Sequence, residues 1–209
     1  MNRILIADDH HVVRRGLKQI LLEGFPGAII EDVADAESLV KSAVTKKWDI
    51  VITDLSMPGR SGLEALHQIR QSCPGLPVLI LSVHSEDTYA IRVLKAGAFG
   101  YINKETAPEE LVKAVQQVLL GKKYITPAVA EKLLKSLDED QAGKQMHENL
   151  SDREFEVFKL IAAGKAVSEI ADMLSLSVTT VSTYRARIMA KMDFKSNADF
   201  TLYAIENKL

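Results

Sequence analysis

The first 120 residues repeat one pattern five times: a short apolar run, a loop and an amphipathic helix. The runs at 4–7, 50–53 and 78–81 are continuously apolar, which is typical of strands covered on both faces. Strands that alternate with helices predict parallel pairing, right-handed crossovers and helices on both sides of the sheet. We therefore expect an α/β fold with a doubly wound, five-stranded parallel sheet. Its helices are predicted at 12–22, 36–45, 62–71, 88–96 and 108–120.

A second, all-helical pattern begins at Leu150. Ser151 and Glu154 have the spacing of a capping box at the start of a helix that stops at Gly164. Further helices are predicted at 167–174, 178–192 and 197–206. Two helices joined by a three-residue turn, the second with outward polar residues, indicate a helix-turn-helix.

The chain is therefore predicted to contain two domains and a linker. The first domain covers 1–122, and the small all-α domain covers 148–209. The linker, 123–147, contains a short helix at 128–137 and a polar stretch at 138–145 without apolar periodicity.

Composition limits the class of protein. With 47% hydrophobic residues the chain can bury a core, and it has neither an apolar stretch of membrane-span length nor a signal-peptide pattern. We expect a cytoplasmic protein that does not associate with membranes. The single Cys73 excludes an internal disulfide. Because the net charge is −2 and no region is basic overall, any surface for nucleic acid must be local.

Polar residues stand where the predicted strands end: Asp8, Asp9, Asp54, Ser82 and Lys104. Because ligands bind outside the carboxyl ends of parallel strands, these groups are expected to converge on one cleft. Three close carboxylates repel one another, and a divalent cation such as Mg²⁺ would hold them together. The competing interpretation is that these are ordinary loop residues in contact with water. It would explain any one of them alone, but it is a poor explanation for all five at matched positions.

Each group in this cleft has a predicted role. Asp54, central in the sheet, is the expected phosphoacceptor, and Lys104 would neutralise a phosphoryl oxygen. Asp9 and Asp54 are the expected direct Mg²⁺ ligands, with the carbonyl of Ser56 as a further ligand and Asp8 acting through water. Ser82 would donate a hydrogen bond to the phosphoryl group. A Zn²⁺ site at His10 and His11 is disfavoured because no cysteine has ligand spacing to them.

The motifs that carry a family resemblance are Ala7–His10, Thr53–Gly59, Leu81–Ser82, Lys95–Ala98 and Asn103–Lys104. With them, the first domain resembles a response-regulator receiver domain, and the whole chain is similar to the NarL/FixJ class. The resemblance implies a flavodoxin-like fold, Mg²⁺ at Asp9 and Asp54, and phosphoryl transfer from a histidine kinase to Asp54. It also implies that Ser82 turns towards the phosphoryl group while Tyr101 moves inward; an ordinary strand aromatic is the alternative for Tyr101. Glu105 departs from the proline that many receivers have after the lysine.

The segment Leu150–Met192 resembles a LuxR-type DNA-binding domain, in which 178–192 would be the recognition helix. We expect Ser182, Thr183 and Ala186 to read base edges, and Lys195 to join the basic residues of the helix at phosphates. The predicted contacts to double-stranded promoter DNA are Thr179, Thr180, Ser182, Thr183, Tyr184, Arg185, Arg187 and Lys191.

The last helix resembles the dimerisation helix of the LuxR-type family, with simple core packing as its alternative. The sequence thus predicts a transcription regulator that acts as a homodimer and is not an enzyme. Two other interpretations remain open at this point. One is a Mg²⁺-dependent phosphohydrolase with an aspartyl intermediate, and the other is an adaptor that binds only protein.

Overall fold

The computed structural model describes residues 2–84, 86–139, 146–207 and 209. The chain forms two compact units, Met1–Lys135 and Ser136–Leu209. Of the polar stretch predicted at 138–145, residues 140–145 lie outside the described residues. The domain limits 1–122, 123–147 and 148–209 therefore stay predictions from the sequence.

The first unit is built on a five-stranded parallel sheet in the order β2-β1-β3-β4-β5. This is the α/β, flavodoxin-like arrangement that the sequence predicted. The strands are β1 (Arg3–Ala7), β2 (Ile29–Val33), β3 (Ile50–Asp54), β4 (Val78–Ser82) and β5 (Gly100–Asn103).

Helices cover both faces of this sheet, as predicted. They are α1 (His11–Gly24), α2 (Ala36–Thr45), α3 (Gly62–Ser72), α4 (Glu86–Lys95) and α5 (Ala107–Leu119). A further helix, α6 (Pro127–Glu139), follows where the sequence predicted the short linker helix 128–137. All of these boundaries agree with the sequence to within two residues. The sequence placed the start of the fourth helix at Thr88, whereas α4 begins at Glu86.

Alternation along the strands divides the core between the two faces. Ile4 and Ile6 of β1 pack with Leu21 of α1 and Leu111 of α5 on one face. Leu5, on the opposite face, is also fully buried. Burial of each large aliphatic side chain contributes about 1.5–3 kcal/mol, which explains why uninterrupted apolar runs form these strands.

The strand register brings the carboxyl ends together at one edge. Ala7 pairs with Thr53, Asp54 with Leu81, and Ser82 with Asn103. The residues at or just beyond these positions therefore share one edge of the sheet, hereafter the acidic edge. It comprises Asp8, Asp9, Asp54, Ser82 and Lys104.

The described part of the second unit contains helices and no strand. A 3₁₀ turn (Met146–Asn149) precedes α7 (Asp152–Ala162), α8 (Val167–Met173), α9 (Val178–Met192) and α10 (Asn197–Glu206). The predicted capping box is present, with Ser151 Oγ accepting from the Glu154 N–H and Glu154 accepting from the Ser151 N–H.

The turn of the predicted helix-turn-helix is fixed by two serines. Ser175 has a positive φ of 52°, which reverses the chain after α8. Ser177 caps α9 by accepting a hydrogen bond from the Thr180 N–H at 3.0 Å. None of the helices in the described ranges is long and apolar enough to cross a lipid bilayer.

Candidate functional site

Four potential ligand side chains meet at the acidic edge. One ligand atom from each of Asp8, Asp9, His10 and Asp54 lies within 4.8 Å of the others. Asp54 is the last residue of β3, and Asp8 and Asp9 directly follow the neighbouring β1. Asp8 is fully buried and Asp54 is 3% exposed, so their charges cannot be dispersed into water.

Lys104 supplies the positive charge that these two buried carboxylates need. Its Nζ lies 2.6 Å from Asp8 Oδ2 and 2.7 Å from Asp54 Oδ2. The lysine follows β5, and its backbone N–H donates to the carbonyl of Ser82 at 2.8 Å. Residues nearly a hundred positions apart in the chain are thus brought into direct contact, as the strand-end pattern predicted.

The pKa values at this edge reflect burial working against ion pairing. Burial raises the pKa of Asp54 to about 6, although Lys104 opposes the shift and Asp8 adds to it. Burial disfavours the charged form of Lys104, but its pairs with Asp54 and Asp8 outweigh this and raise the pKa of Lys104. One lysine therefore compensates two carboxylates incompletely, and the edge favours a further cation.

The donor set fits a hard divalent cation. Three carboxylates offer the oxygen ligands that Mg²⁺ prefers. Asp9 Oδ1 is buried without a hydrogen bond from the described residues, and His10 Nδ1 lies 2.9 Å from it. Ser56 donates its N–H to Asp54 Oδ1 at 3.3 Å, which places the β3–α3 loop beside the carboxylates.

His10 lies closer to this cluster than the sequence suggested. Its backbone N–H donates to Asp8 Oδ1 at 2.8 Å, and its Nδ1 contacts both Asp8 and Asp9. The imidazole remains largely exposed, so it borders the carboxylates rather than filling the space between them. The signal that could have found it is its position directly after Asp9, at the start of α1.

Ser82 and Tyr101 act on the same peptide segment. Ser82 Oγ accepts from the His84 N–H at 3.1 Å, and the Tyr101 hydroxyl donates to the His84 carbonyl at 2.6 Å. Tyr101 is 3% exposed, which agrees both with a switch residue and with an ordinary strand aromatic. Sequence analysis missed His84, whose ring also lies 3.2 Å from Ser56 Oγ.

The second unit presents one face of α9 to solvent. Val181, Ile188 and Met192 are buried against the unit. The exposed positions of the helix recur mostly at a spacing of three and four: Val178, Thr179, Ser182, Thr183, Ala186, Arg187, Ala190 and Lys191. Short polar and methyl-bearing side chains dominate this face, hereafter the outward face of α9.

Two of the predicted phosphate contacts, Lys191 and Arg185, are bonded within the unit. Lys191 Nζ lies 2.6 Å from the buried carboxylate of Glu154 and also donates to the carbonyl of Asn149. Arg185 donates through Nε and Nη2 to Asn197 Oδ1 at 2.9 and 2.7 Å. The sequence alone could not show these bonds, because the three partners, Glu154, Asn149 and Asn197, lie outside α9.

Thr180 and Tyr184, two further predicted DNA contacts, are less exposed than their neighbours. Both are only partly exposed, and Thr180 Oγ1 lies 2.7 Å from Ser177 Oγ in the cap of α9. The predicted DNA contacts Thr179, Ser182, Thr183 and Arg187 are exposed. Lys195, beyond the end of the helix, is exposed as well.

Comparison with known proteins places both units in known families. Residues 4–116 match the response regulator receiver domain, and residues 148–204 match the luxR family of bacterial regulatory proteins. The chain is 34% identical over 209 residues to the response regulator UvrY of Escherichia coli (strain K12), covering 100% of this chain and 96% of that protein. It is 36% identical over 208 residues to the response regulator GacA of Pseudomonas aeruginosa, covering 99% and 97%.

Solved structures agree with this placement. RcsB from Salmonella enterica serovar Typhimurium, bound to promoter P1flhDC in the presence of phosphomimetic BeF3-, matches with a TM-score of 0.59 and 28% identity, covering 97% of each chain. The family consists of transcription regulators rather than enzymes, so the phosphohydrolase interpretation is wrong. The chain belongs to the two-component response regulators of the NarL/FixJ class, with a receiver domain and a LuxR-type DNA-binding domain.

Proposed function

We propose that Asp54 is the phosphoacceptor of this response regulator and that a sensor histidine kinase is the donor. The observation that carries this proposal is the position of its carboxylate: nearly buried, 2.7 Å from Lys104 Nζ and clustered with Asp8 and Asp9. Mg²⁺ would be held by Asp9, Asp54 and the carbonyl of Ser56, with Asp8 acting through water. Bound there, it would supply positive charge to the oxygens of the phosphoryl group.

The residues of the edge perform the remaining work of phosphoryl transfer. One oxygen of ionised Asp54 attacks phosphorus, the P–N bond to the kinase histidine breaks, and the imidazole leaves with the bond's electron pair and takes up a proton. The Ser56 N–H and Lys104 orient the two carboxylate oxygens of Asp54. Lys104 also neutralises charge on the transferred group, which is the main contribution that proteins make to this reaction.

Ser82 and Tyr101 would then report the presence of the phosphoryl group. Ser82 uses an oxygen lone pair for the His84 N–H, so its hydroxyl hydrogen can be donated to a phosphoryl oxygen. Tyr101 holds the carbonyl of the same residue. A shift of Ser82 would therefore be felt by Tyr101 through the His84 segment.

The output proposed for the second unit is binding of double-stranded promoter DNA. The outward face of α9 would enter the major groove, with Ser182, Thr183 and Ala186 at base edges. Arg187, Thr179 and Lys195 would contact phosphates. The exposed Leu202 and Ile205 of α10 support a homodimer. It would bind paired half-sites about one helical turn, or a multiple of one turn, apart. We expect this regulation to take place in the cytoplasm.

The phosphoacceptor assignment is tested by labelling with a small phosphodonor in the presence of Mg²⁺. We expect Asp54→Ala to abolish the covalent addition of one phosphoryl group, measured by intact-protein mass spectrometry. The matched control is Asp49→Asn, directly before β3 and far from the acidic edge. In the described part of the chain, the Asp49 side chain accepts a hydrogen bond from the Arg3 N–H. Labelling retained in Asp54→Ala, or lost equally in both variants, would contradict the assignment.

A further inference from the structure

Arg14 reaches from the first turn of α1 to the main chain of the acidic edge. Its Nη1 donates to the carbonyl oxygen of Asp8 at 2.6 Å. Its Nε donates to Asp32 Oδ2, in β2, at 3.1 Å. The arginine side chain is only 12% exposed, so this contact is made largely out of solvent.

Asp8 is fixed at several atoms, and Arg14 holds its carbonyl. The Asp8 N–H donates to the carbonyl of Val33, and Oδ1 accepts from the His10 N–H. Because the carbonyl of residue 8 and the N–H of residue 9 belong to one rigid plane, Arg14 also fixes the direction in which the chain continues into Asp9.

We propose that Arg14 is a positioning residue for Asp9, and thereby sets the affinity of the acidic edge for Mg²⁺. This inference rests on the proposed function, because it assumes that Asp9 is a metal ligand. Arg14 touches neither the metal nor the phosphoryl group in this scheme. It acts through the peptide between Asp8 and Asp9, as outer-shell partners of metal ligands commonly do.

The geometry requires arginine. Asp32 accepts from both Arg14 and Lys18; burial raises its pKa, but these hydrogen bonds outweigh burial and lower it. Asp32 therefore stays ionised at neutral pH and anchors one edge of the guanidinium. The planar fork donates in two directions at once, to Asp32 and to the Asp8 carbonyl, which the point charge of a lysine cannot reproduce.

Removal of the Arg14 charge and loss of its positioning contact predict opposite changes in the affinity for Mg²⁺, so the two roles can be told apart by experiment. Removal of a positive charge near a cation site would by itself strengthen Mg²⁺ binding. Loss of the Asp8 contact would weaken binding, because Asp9 would no longer be held in place. Lys18 provides the matched control, since it pairs with the same Asp32 at 3.2 Å but makes no described contact with Asp8.

The experiment is calorimetric titration of the full-length protein with Mg²⁺ in the absence of a phosphodonor. We expect Arg14→Met to raise the Kd by about tenfold, the lower end of the cost of losing an outer-shell partner. Lys18→Met is expected to leave the Kd unchanged or to lower it. Partial unfolding would reduce the binding stoichiometry, whereas a positioning role changes the Kd at unaltered stoichiometry.

A second readout separates positioning from damage to the phosphoacceptor. At saturating Mg²⁺, the labelling rate of Arg14→Met should return to near that of the unmodified protein, because Asp54 and Lys104 are untouched. Equal Kd values in Arg14→Met and Lys18→Met, with Asp9→Asn still weakening binding, would overturn the role of Arg14. Absence of Mg²⁺ binding in the unmodified protein would instead overturn the proposed metal site.

Discussion

The acidic edge of the first unit and the outward face of α9 in the second carry charge in opposite ways. At the edge, Asp8 and Asp54 are buried, and the Nζ of Lys104 lies within 2.7 Å of an oxygen of each. On α9, short uncharged side chains dominate the exposed face, and Lys191 bonds within the unit. Function at the edge thus uses charges held in place, whereas the helix offers a surface for a partner to contact.

This difference follows from the cost of burying charge. A buried charge without a partner is strongly destabilising, so the position of each charged group at the edge restricts where its partners can be. A long basic side chain on a helix surface has no such restriction. It can bond to a neighbouring helix, as Lys191 and Arg185 do, or reach a phosphate.

The largest expected effect comes from Gly62, where α3 begins against the acidic edge. A Cβ at this position would lie 1.9 Å from the carbonyl oxygen of Asp54 and 3.2 Å from Cα of Leu55, and backbone atoms cannot move aside cheaply. We expect Gly62→Ala to lower the free energy of unfolding of the first unit by about 3 kcal/mol. Urea unfolding followed by fluorescence of Trp48, the only tryptophan, reports on this unit alone.

Gly75→Ala is the control for this substitution, because nothing lies within 4 Å of the position that the added methyl group would occupy and its φ is not left-handed. It should change the free energy of unfolding by less than about 1 kcal/mol. Equal effects of the two substitutions would mean that the edge is not held as tightly as its contacts imply.

A comparable effect is expected from the raised pKa of Asp54, which is about 6 and arises first from burial. The unfolded carboxyl has an ordinary pKa near 3.8, so the folded state binds the proton more strongly. The contribution of this group to stability is therefore full below about pH 4 and is lost as the pH rises through about 6. At pH 7 the cost is about 3 kcal/mol.

Asp54→Asn should remove this cost. With EDTA present, we expect the variant to be more stable than the unmodified protein at pH 7 by about 3 kcal/mol, and the difference to shrink towards pH 4. Thermal or urea unfolding across this pH range measures it. A variant that is less stable at pH 7 would show that the pair with Lys104 outweighs the burial of the carboxylate.

The sequence predicted the acidic edge well because two strong patterns coincide there. Continuous apolar runs locate the strands at 4–7, 50–53 and 78–81, and parallel pairing then requires their ends to meet. The order of the strands in the sheet therefore determines where each polar residue at a strand end lies. No knowledge of side-chain conformation is needed to bring Asp54 and Lys104 together.

The remaining contacts depend on packing that no local pattern encodes. The pair between Glu154 and Lys191 spans 37 positions and requires the crossing of α7 and α9 to be known. The Arg14 contact with the Asp8 carbonyl depends on the rotation of α1 about its axis. His84 was missed for the same reason, since its role comes from bonds to Ser82 and Tyr101 in two neighbouring strands.

The smallest expected effects come from substitutions of Lys191 and Arg187 on α9, which separate the stability of the second unit from its binding of DNA. The Glu154 carboxylate is buried, and although burial raises its pKa, the hydrogen bonds from Lys191 and Ser151 outweigh burial and lower it. Lys191→Met would leave this carboxylate without its cation. Because the lysine is 42% exposed and solvent screens the pair, we expect a loss of only about 1 kcal/mol in the stability of the second unit.

DNA binding should depend on Arg187 and not on Lys191, whereas the stability of the second unit depends on Lys191. Arg187→Met is expected to weaken binding to all duplex sequences. The salt slope, which is the slope of the logarithm of the binding constant against the logarithm of the salt concentration, should fall in magnitude by about 1, because one phosphate contact is lost. Lys191→Met should leave the salt slope unchanged, since its ammonium group already serves Glu154. Gel-shift or anisotropy titrations over a range of salt concentrations measure both slopes. Equal reductions in the two variants would mean that Lys191 exchanges Glu154 for a phosphate on binding, and that the second unit holds its charges less firmly than its contacts indicate.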